Sequence, residues 1–152
     1  MTLEAVRLSL FSNDYEVLGN GESVAYLDLA WFREGGELVV RGERFRIGRR
    51  GLLGAFYLER DGETIASATK PSVFHRSYEV ELDSEVFTLA AVSPVHRSFQ
   101  LLDGSTEIGR VAPAHLFSRK AVAKLPERLS LERRVFLVWL VLVLWGRAET
   151  AS

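Results

Sequence analysis

The sequence predicts a mainly β domain of about twelve antiparallel strands, meandering as a sheet or barrel, with one apolar helix buried in its own core. Three observations carry this reading. Turn signals recur at near-constant spacing, β-type segments flank each of them, and the chain closes on an unbroken apolar run.

The turn signals Asn20-Gly21, Arg41-Gly42, Asp61-Gly62, Asp83-Ser84 and Asp103-Gly104 begin 21, 20, 22 and 20 residues apart. Asn-Gly and Asp-Gly suit two-residue hairpin turns, whose central positions need positive φ. Glu37-Leu38-Val39-Val40 before Gly42, and Arg44-Phe45-Arg46-Ile47 after it, are flanks of the strand type. Five hairpins supply ten strands, and Leu3 to Leu10 and Phe117 to Ala123 add one at each end. Even spacing of this kind marks a meander or barrel.

A longer repeat overlies the hairpins. Tyr15-Glu16-Val17-Leu18-Gly19-Asn20-Gly21-Glu22-Ser23-Val24-Ala25 matches Phe56-Tyr57-Leu58-Glu59-Arg60-Asp61-Gly62-Glu63-Thr64-Ile65-Ala66 position for position. A third copy, Phe99 to Gly109, differs by a one-residue slip on each side of its turn. The copies start 41 and 43 residues apart. Three copies cannot close a propeller of four or more blades, so the repeat reads as alternate hairpins of one barrel.

The run Val135 to Trp145 is apolar throughout. Ser130 stands at an N-cap position, Glu132 lies in the first turn, and Gly146 with Arg147 forms a stop signal. A helix from Leu131 to Trp145 would be ~22 Å long at 1.5 Å per residue. That is shorter than the ~30 Å hydrocarbon layer of a bilayer. A helix apolar on every face needs protein or lipid all around it. The β-branched residues would also permit a buried strand, but the caps and length favour helix. A tail anchor flanked by Arg133, Arg134 and Arg147 is the competing reading.

The chain of 152 residues fits one domain, residues 1–147 with a short tail at 148–152, and is long enough to bury a core unaided. Net charge is −1, so no global field draws it to nucleic acid or membrane. The absence of cysteine excludes disulfides, thiolate metal sites and a cysteine nucleophile. No basic region precedes an apolar run at Met1 to Arg7, so a cytoplasmic protein is expected.

Twelve strands in successive hairpins before one wholly apolar helix resemble the tubby C-terminal-like superfamily, and within it the LURP-one-related proteins; phospholipid scramblases share the architecture. The residues carrying the resemblance are the aromatic-x-aliphatic hairpins with Asn/Asp-Gly-Glu turns, and Leu125-Pro126-Glu127 running into Val135 to Trp145. The resemblance implies a closed barrel wrapped around a central helix and a leaning toward membranes. The basic motif of tubby phosphoinositide sites has no counterpart here. The acidic calcium-associated segment of scramblases is replaced by the mixed charges of Lys124 to Arg134.

The strongest local anomaly is Arg41 to Gly51, with five arginines and one glutamate. Arg44 and Arg46 would share one strand face, opposite Phe45 and Ile47. Arg49 and Arg50 would lie in a glycine-flanked loop, Gly48 to Gly54, able to form an anion nest. Arg44, Arg46, Arg49 and Arg50 are therefore the candidate anion site. The competing reading is a solvated face whose charges protect a sheet edge.

His75-Arg76-Ser77-Tyr78 and His96-Arg97-Ser98-Phe99 form a second repeat, with His115 beyond. His96 and His115 have no carboxylate or second histidine at i+2 or i+4, so the repeat reads as equivalent strand starts and no metal or other cofactor is expected. Trp31, Trp139 and Trp145 read as core or interface aromatics. There is no G-x-S-x-G elbow, H-E-x-x-H or P-loop lysine, and Gly48, Gly51 and Gly54 lack a dinucleotide fingerprint's spacing. The expectation is a non-enzymatic binding module that meets anionic phospholipid headgroups or a similar polyanion peripherally at a membrane, with no nucleic acid partner. The alternative is a protein-interaction or scaffold domain without a small ligand.

Overall fold

The computed structural model describes residues 1–8, 14–28, 36–50, 55–71, 77–93, 97–116 and 118–150, with Asp28 and residues 147–150 described by their backbone only. The strands are β1 (Leu3–Arg7), β2 (Asp14–Gly19), β3 (Glu22–Asp28), β4 (Gly36–Val40), β5 (Glu43–Arg50) and β6 (Ala55–Arg60). They continue as β7 (Glu63–Thr69), β8 (Ser77–Leu82), β9 (Glu85–Ala91), β10 (Phe99–Asp103), β11 (Thr106–Pro113) and β12 (Ala121–Lys124), before helix α1 (Leu131–Thr150). Each strand pairs antiparallel with the next, and β1 pairs with β12 through Leu3↔Ala123, closing a twelve-stranded barrel.

The turns follow from backbone chemistry. Asn20, Arg41 and Asp61 have φ of 53°, 47° and 50°, and the glycines after them 79–81°. Positive φ at both central positions is the type I′ signature that matches strand twist. Asp83-Ser84 does the same with φ of 52° and 65°. The fifth turn differs from expectation. Asp103 pairs with Thr106, so the turn is Gly104-Ser105, of which only Gly104 has positive φ. That displacement explains the slip in the third repeat copy. Counted from the true turn, the ladder shifts between Val17/Leu18, Leu58/Glu59 and Leu101/Leu102, the same place in all three hairpins. The extra residues are Val24, Ile65 and Ile108, each packed on the core. Such bulges add local twist, which closing a barrel requires.

Two terminal strands are shorter than expected. β1 stops at Arg7, and β12 begins at Ala121, not Phe117. Ahead of β12, Ser118 N donates to His115 O and Lys120 N donates to the Ser118 hydroxyl, while Phe117 lies outside the described residues.

All five tight turns lie at one end of the barrel, and the longer connections lie at the other. The helix enters at the tight-turn end. There Arg60 forms ion pairs with Glu43 (2.9 Å) and Glu132 (3.0 Å), while Arg133 forms one with Asp83 and donates to the Ile65 carbonyl. Arg134, buried beside them, donates to Leu129 O; burial, and next the charge of Arg41, lower its pKa, with Glu132 opposing. Ser130 O accepts from Arg134 N, as expected at an N-cap, and its hydroxyl accepts from Arg133.

Beyond this charged collar α1 is buried on every side from Arg134 to Val143. Trp139 meets Phe56 edge-on at 5.8 Å and stacks on Phe136 at 5.9 Å. The strands turn Val80, Leu82, Leu89 and Leu101 inward at 0% exposure, so wall and helix share one core. The outer wall is polar, as the alternation of buried Tyr78, Val80 and Leu82 with exposed Glu79 and Glu81 shows. This is the reverse of a lipid-facing barrel wall. The helix runs on to Thr150, so Gly146 does not end it and the backbone of residues 148–150 is helical. A glycine weakens a helix by about 1 kcal/mol without stopping it. Among the described residues no helix is long and apolar enough to cross a membrane.

Candidate functional site

α1 fills the barrel, and the grooves among the described residues lie on its outer surface. The larger groove described there, about 410 Å3, lies against β4, β5 and β6 and is lined by Glu37, Arg44, Arg46, Glu59 and Asp61 with Gly36, Phe45 and Gly62. It contains two of the four arginines expected to bind an anion.

Strand register decides which groups meet. Arg46 lies opposite Glu37 on β4 and opposite Glu59 on β6, all turned outward. Neither carboxylate ends on Arg46, however. Glu37 lies 3.6 Å from Arg44, and Glu59 forms an ion pair with Arg50. Arg46, exposed, makes no ion pair among the described residues. Each of its natural partners is held by a neighbouring arginine.

Arg50 is tied down further. Its guanidinium lies 4.3 Å from the Tyr57 ring centroid and 3.4 Å from the Thr64 hydroxyl. Tyr57 stands opposite Gly48, which leaves room for the ring. The Arg50 stem and guanidinium thus cover Tyr57 and Glu59, which are 9% and 8% exposed despite facing outward.

The expected loop nest takes a different form. Arg49 and Arg50 belong to β5 and pair with Phe56 and Ala55, so at these positions the backbone is part of a ladder. Residues 51–54 lie outside the described residues. Arg49 has the inward parity of Phe45 and Ile47 and is half-buried. Arg44 and Arg50 are six residues apart on one strand, ~20 Å at 3.3 Å per residue. The four arginines therefore do not converge on one point: Arg44 and Arg46 form a pair in the groove, and Arg49 and Arg50 sit at the far end of the strand.

Glu37, Glu59 and Asp61 were missed by reading charge runs alone. Glu37 was findable, because counting outward from the Arg41-Gly42 turn places it opposite Arg46. Glu59 was not, since the sequence between β5 and β6 carries no turn signal from which their register could be counted. Of the histidines, His75 and His96 lie outside the described residues, as does Trp31, and His115 is exposed. Among the described residues no group of three His, Asp or Glu side chains could hold a metal ion.

A second groove, about 370 Å3, is lined by Glu63, Ser67, Glu81, Asp83 and Arg133. Its one cation is committed to Asp83 and Ile65 O at the helix entry. In comparisons with protein-family models, curated proteins and solved structures, nothing matches this chain.

Proposed function

We propose that the protein is a non-enzymatic binding module and that Arg46, with Arg44 beside it, receives one anionic group of a partner. The observation that carries this is an exposed guanidinium in a groove whose two register partners are held by other arginines. A guanidinium pairs bidentately with phosphate or carboxylate, and one such charge-assisted contact contributes about 1.5–3 kcal/mol.

The three carboxylates in the lining narrow the ligand. Glu37, Glu59 and Asp61 would repel a polyphosphate at its far side, so the groove suits a single phosphate or carboxylate better than the polyanion the arginine run suggests. The source of that group is a lipid headgroup or a soluble phosphate. The closed barrel around its C-terminal helix supports the tubby-like resemblance, and membership of that superfamily in the cytoplasm belongs to the same proposal.

The test is an NMR titration of the guanidinium Nε–H signals with inorganic phosphate, and separately co-sedimentation with vesicles containing a phosphatidylinositol phosphate. Arg46 should respond in the titration, weakly and reversibly. Arg46→Ala should abolish the response, and Arg46→Lys should weaken it although the charge is kept. Binding to phosphatidylinositol phosphate vesicles that Arg46→Ala weakens, without a response to inorganic phosphate, would identify a headgroup. No response to either probe at low salt would leave a scaffold domain whose arginines are ordinary surface charge.

A further inference from the structure

The two ends of the barrel differ in chemistry. At the tight-turn end, carboxylates flank the turns: Glu22, Glu43, Glu63 and Glu85 follow them, and Asp61 and Asp83 sit within them. At the opposite rim the described charges are mainly cationic, with Arg7, Lys70, Arg97, Arg119 and Lys120 at strand ends and connections. The tight-turn end also holds Arg41, Arg60, Arg128, Arg133 and Arg134 and is therefore mixed in charge, whereas the described charges of the opposite rim are mainly cationic.

Exposed apolar side chains gather at the same basic rim. Leu8 is 49% exposed just past β1, Val92 37% just past β9, and Leu116 77% between β11 and β12. These positions belong to three successive connections around the rim, since β9, β10, β11, β12, β1 and β2 are neighbours in the barrel. The chain is locally well held here. Leu8 N donates to Asp14 O, Val92 N to Ser98 O and Ala114 N to Lys120 O. Arg97 donates to Ser118 O, stacks 4.3 Å from the Trp145 ring centroid, and accepts at its own carbonyl from Trp145 Nε1. Helix end and rim are therefore pinned to one another, and the leucines project from a fixed frame. The longer connections also read apolar in sequence, as in Leu10-Phe11, Trp31-Phe32 and Leu52-Leu53. Those residues lie outside the described structure.

We propose that this rim is an end-on docking surface for an anionic lipid bilayer, with Leu8, Val92 and Leu116 entering the headgroup layer and Arg119 meeting its charge. Apolar side chains ringed by cations match the two properties of such a surface, an apolar layer beneath negative headgroups. A protein partner would need an apolar patch of its own beneath an acidic ring. Arg119, exposed, makes no ion pair among the described residues, whereas Lys120 is held by Glu4 at 2.8 Å. This surface is separate from the Arg44 and Arg46 groove, because β5 lies across the barrel from β12.

The experiment is co-sedimentation with vesicles of phosphatidylcholine alone and of phosphatidylcholine with phosphatidylserine, each at low and physiological salt. Wild type should bind the anionic vesicles in a salt-sensitive way and the neutral ones poorly. Leu8→Glu/Leu116→Glu should lose about tenfold or more with an unchanged thermal melt, since both side chains are exposed. Arg119→Glu should lose about fivefold or more by removal of a cation. Arg44→Ala/Arg46→Ala should bind these vesicles like wild type, so failure of the groove and failure of the rim are told apart. Wild type that ignores anionic vesicles, or rim variants that bind undiminished, would overturn the proposal. So would a wild-type dimer in sedimentation that the rim variants convert to monomer, for then the rim is a self-association surface.

Discussion

Trp139 offers a measurement in which two opposed effects of known size meet. Its indole is 1% exposed between Phe56 and Phe136, yet its Nε1–H is buried with no acceptor among the described residues. A buried donor left unpaired costs about 1–3 kcal/mol. Truncation to alanine removes that cost but opens a large cavity at the centre of the core, for which aromatic-to-alanine changes set about 3–5 kcal/mol. Trp139→Phe removes the same donor while keeping a ring against both neighbours. The missing second ring leaves roughly 40 Å3, worth about 1 kcal/mol at ~24 cal/mol per Å3, besides lost transfer energy of similar size. The two effects nearly cancel. Trp139→Phe should fall within about 1 kcal/mol of wild type, and Trp139→Ala should lose ~6–20 °C in Tm. Urea and thermal unfolding followed by circular dichroism read both variants without relying on indole fluorescence. If Trp139→Phe costs as much as Trp139→Ala, the indole N–H is bonded and the reasoning fails.

Two further substitutions test the packing. Leu140→Lys places an ammonium at a position of 0% exposure in an apolar core and should leave the protein unfolded or aggregated; a soluble, cooperatively melting variant would show that the helix can turn or leave the barrel. Gly109→Ala puts a Cβ 2.9 Å from the Lys124 carbonyl oxygen and 3.3 Å from Leu125 Cα, where backbone must move. It should cost about 1–3 kcal/mol by urea unfolding, whereas Gly146→Ala, with nothing within 4 Å, should be neutral or stabilising.

The fold was legible because its determinants are local. Asn20-Gly21, Arg41-Gly42 and Asp61-Gly62 announce their turns in two residues each, and a helix apolar on every face admits few environments. The misplaced details were those in which the backbone had a choice. Asp103-Gly104-Ser105 offers two registers for a two-residue turn, and the ladder from Asp103 to Thr106 selects the second. The binding surface was harder to read because charge runs do not display their partners. Arg49 and Arg50 looked like loop arginines by their glycines, but strand parity separates them and Glu59, distant in sequence from Arg50, claims the second. Leu8 and Leu116 resembled core residues in composition; only the ends of β1 and β11 reveal them as exposed.

The central position of α1 has a consequence for biosynthesis. Ribosomes make the chain from the N-terminus, so the one element that every inward strand face packs against arrives after all twelve strands. The seam between β1 and β12 likewise joins the earliest strand to the latest. At ~5–20 residues per second, the 20 residues of α1 take roughly 1–4 s to follow the strands. Through that interval Leu58, Val80, Leu89 and their neighbours have no interior to enter. Hairpins formed during translation would remain open, apolar on one side, and in need of a chaperone or of rapid release. The nascent barrel cannot close until α1 has been made, so a stall before Val135 would strand a sticky sheet.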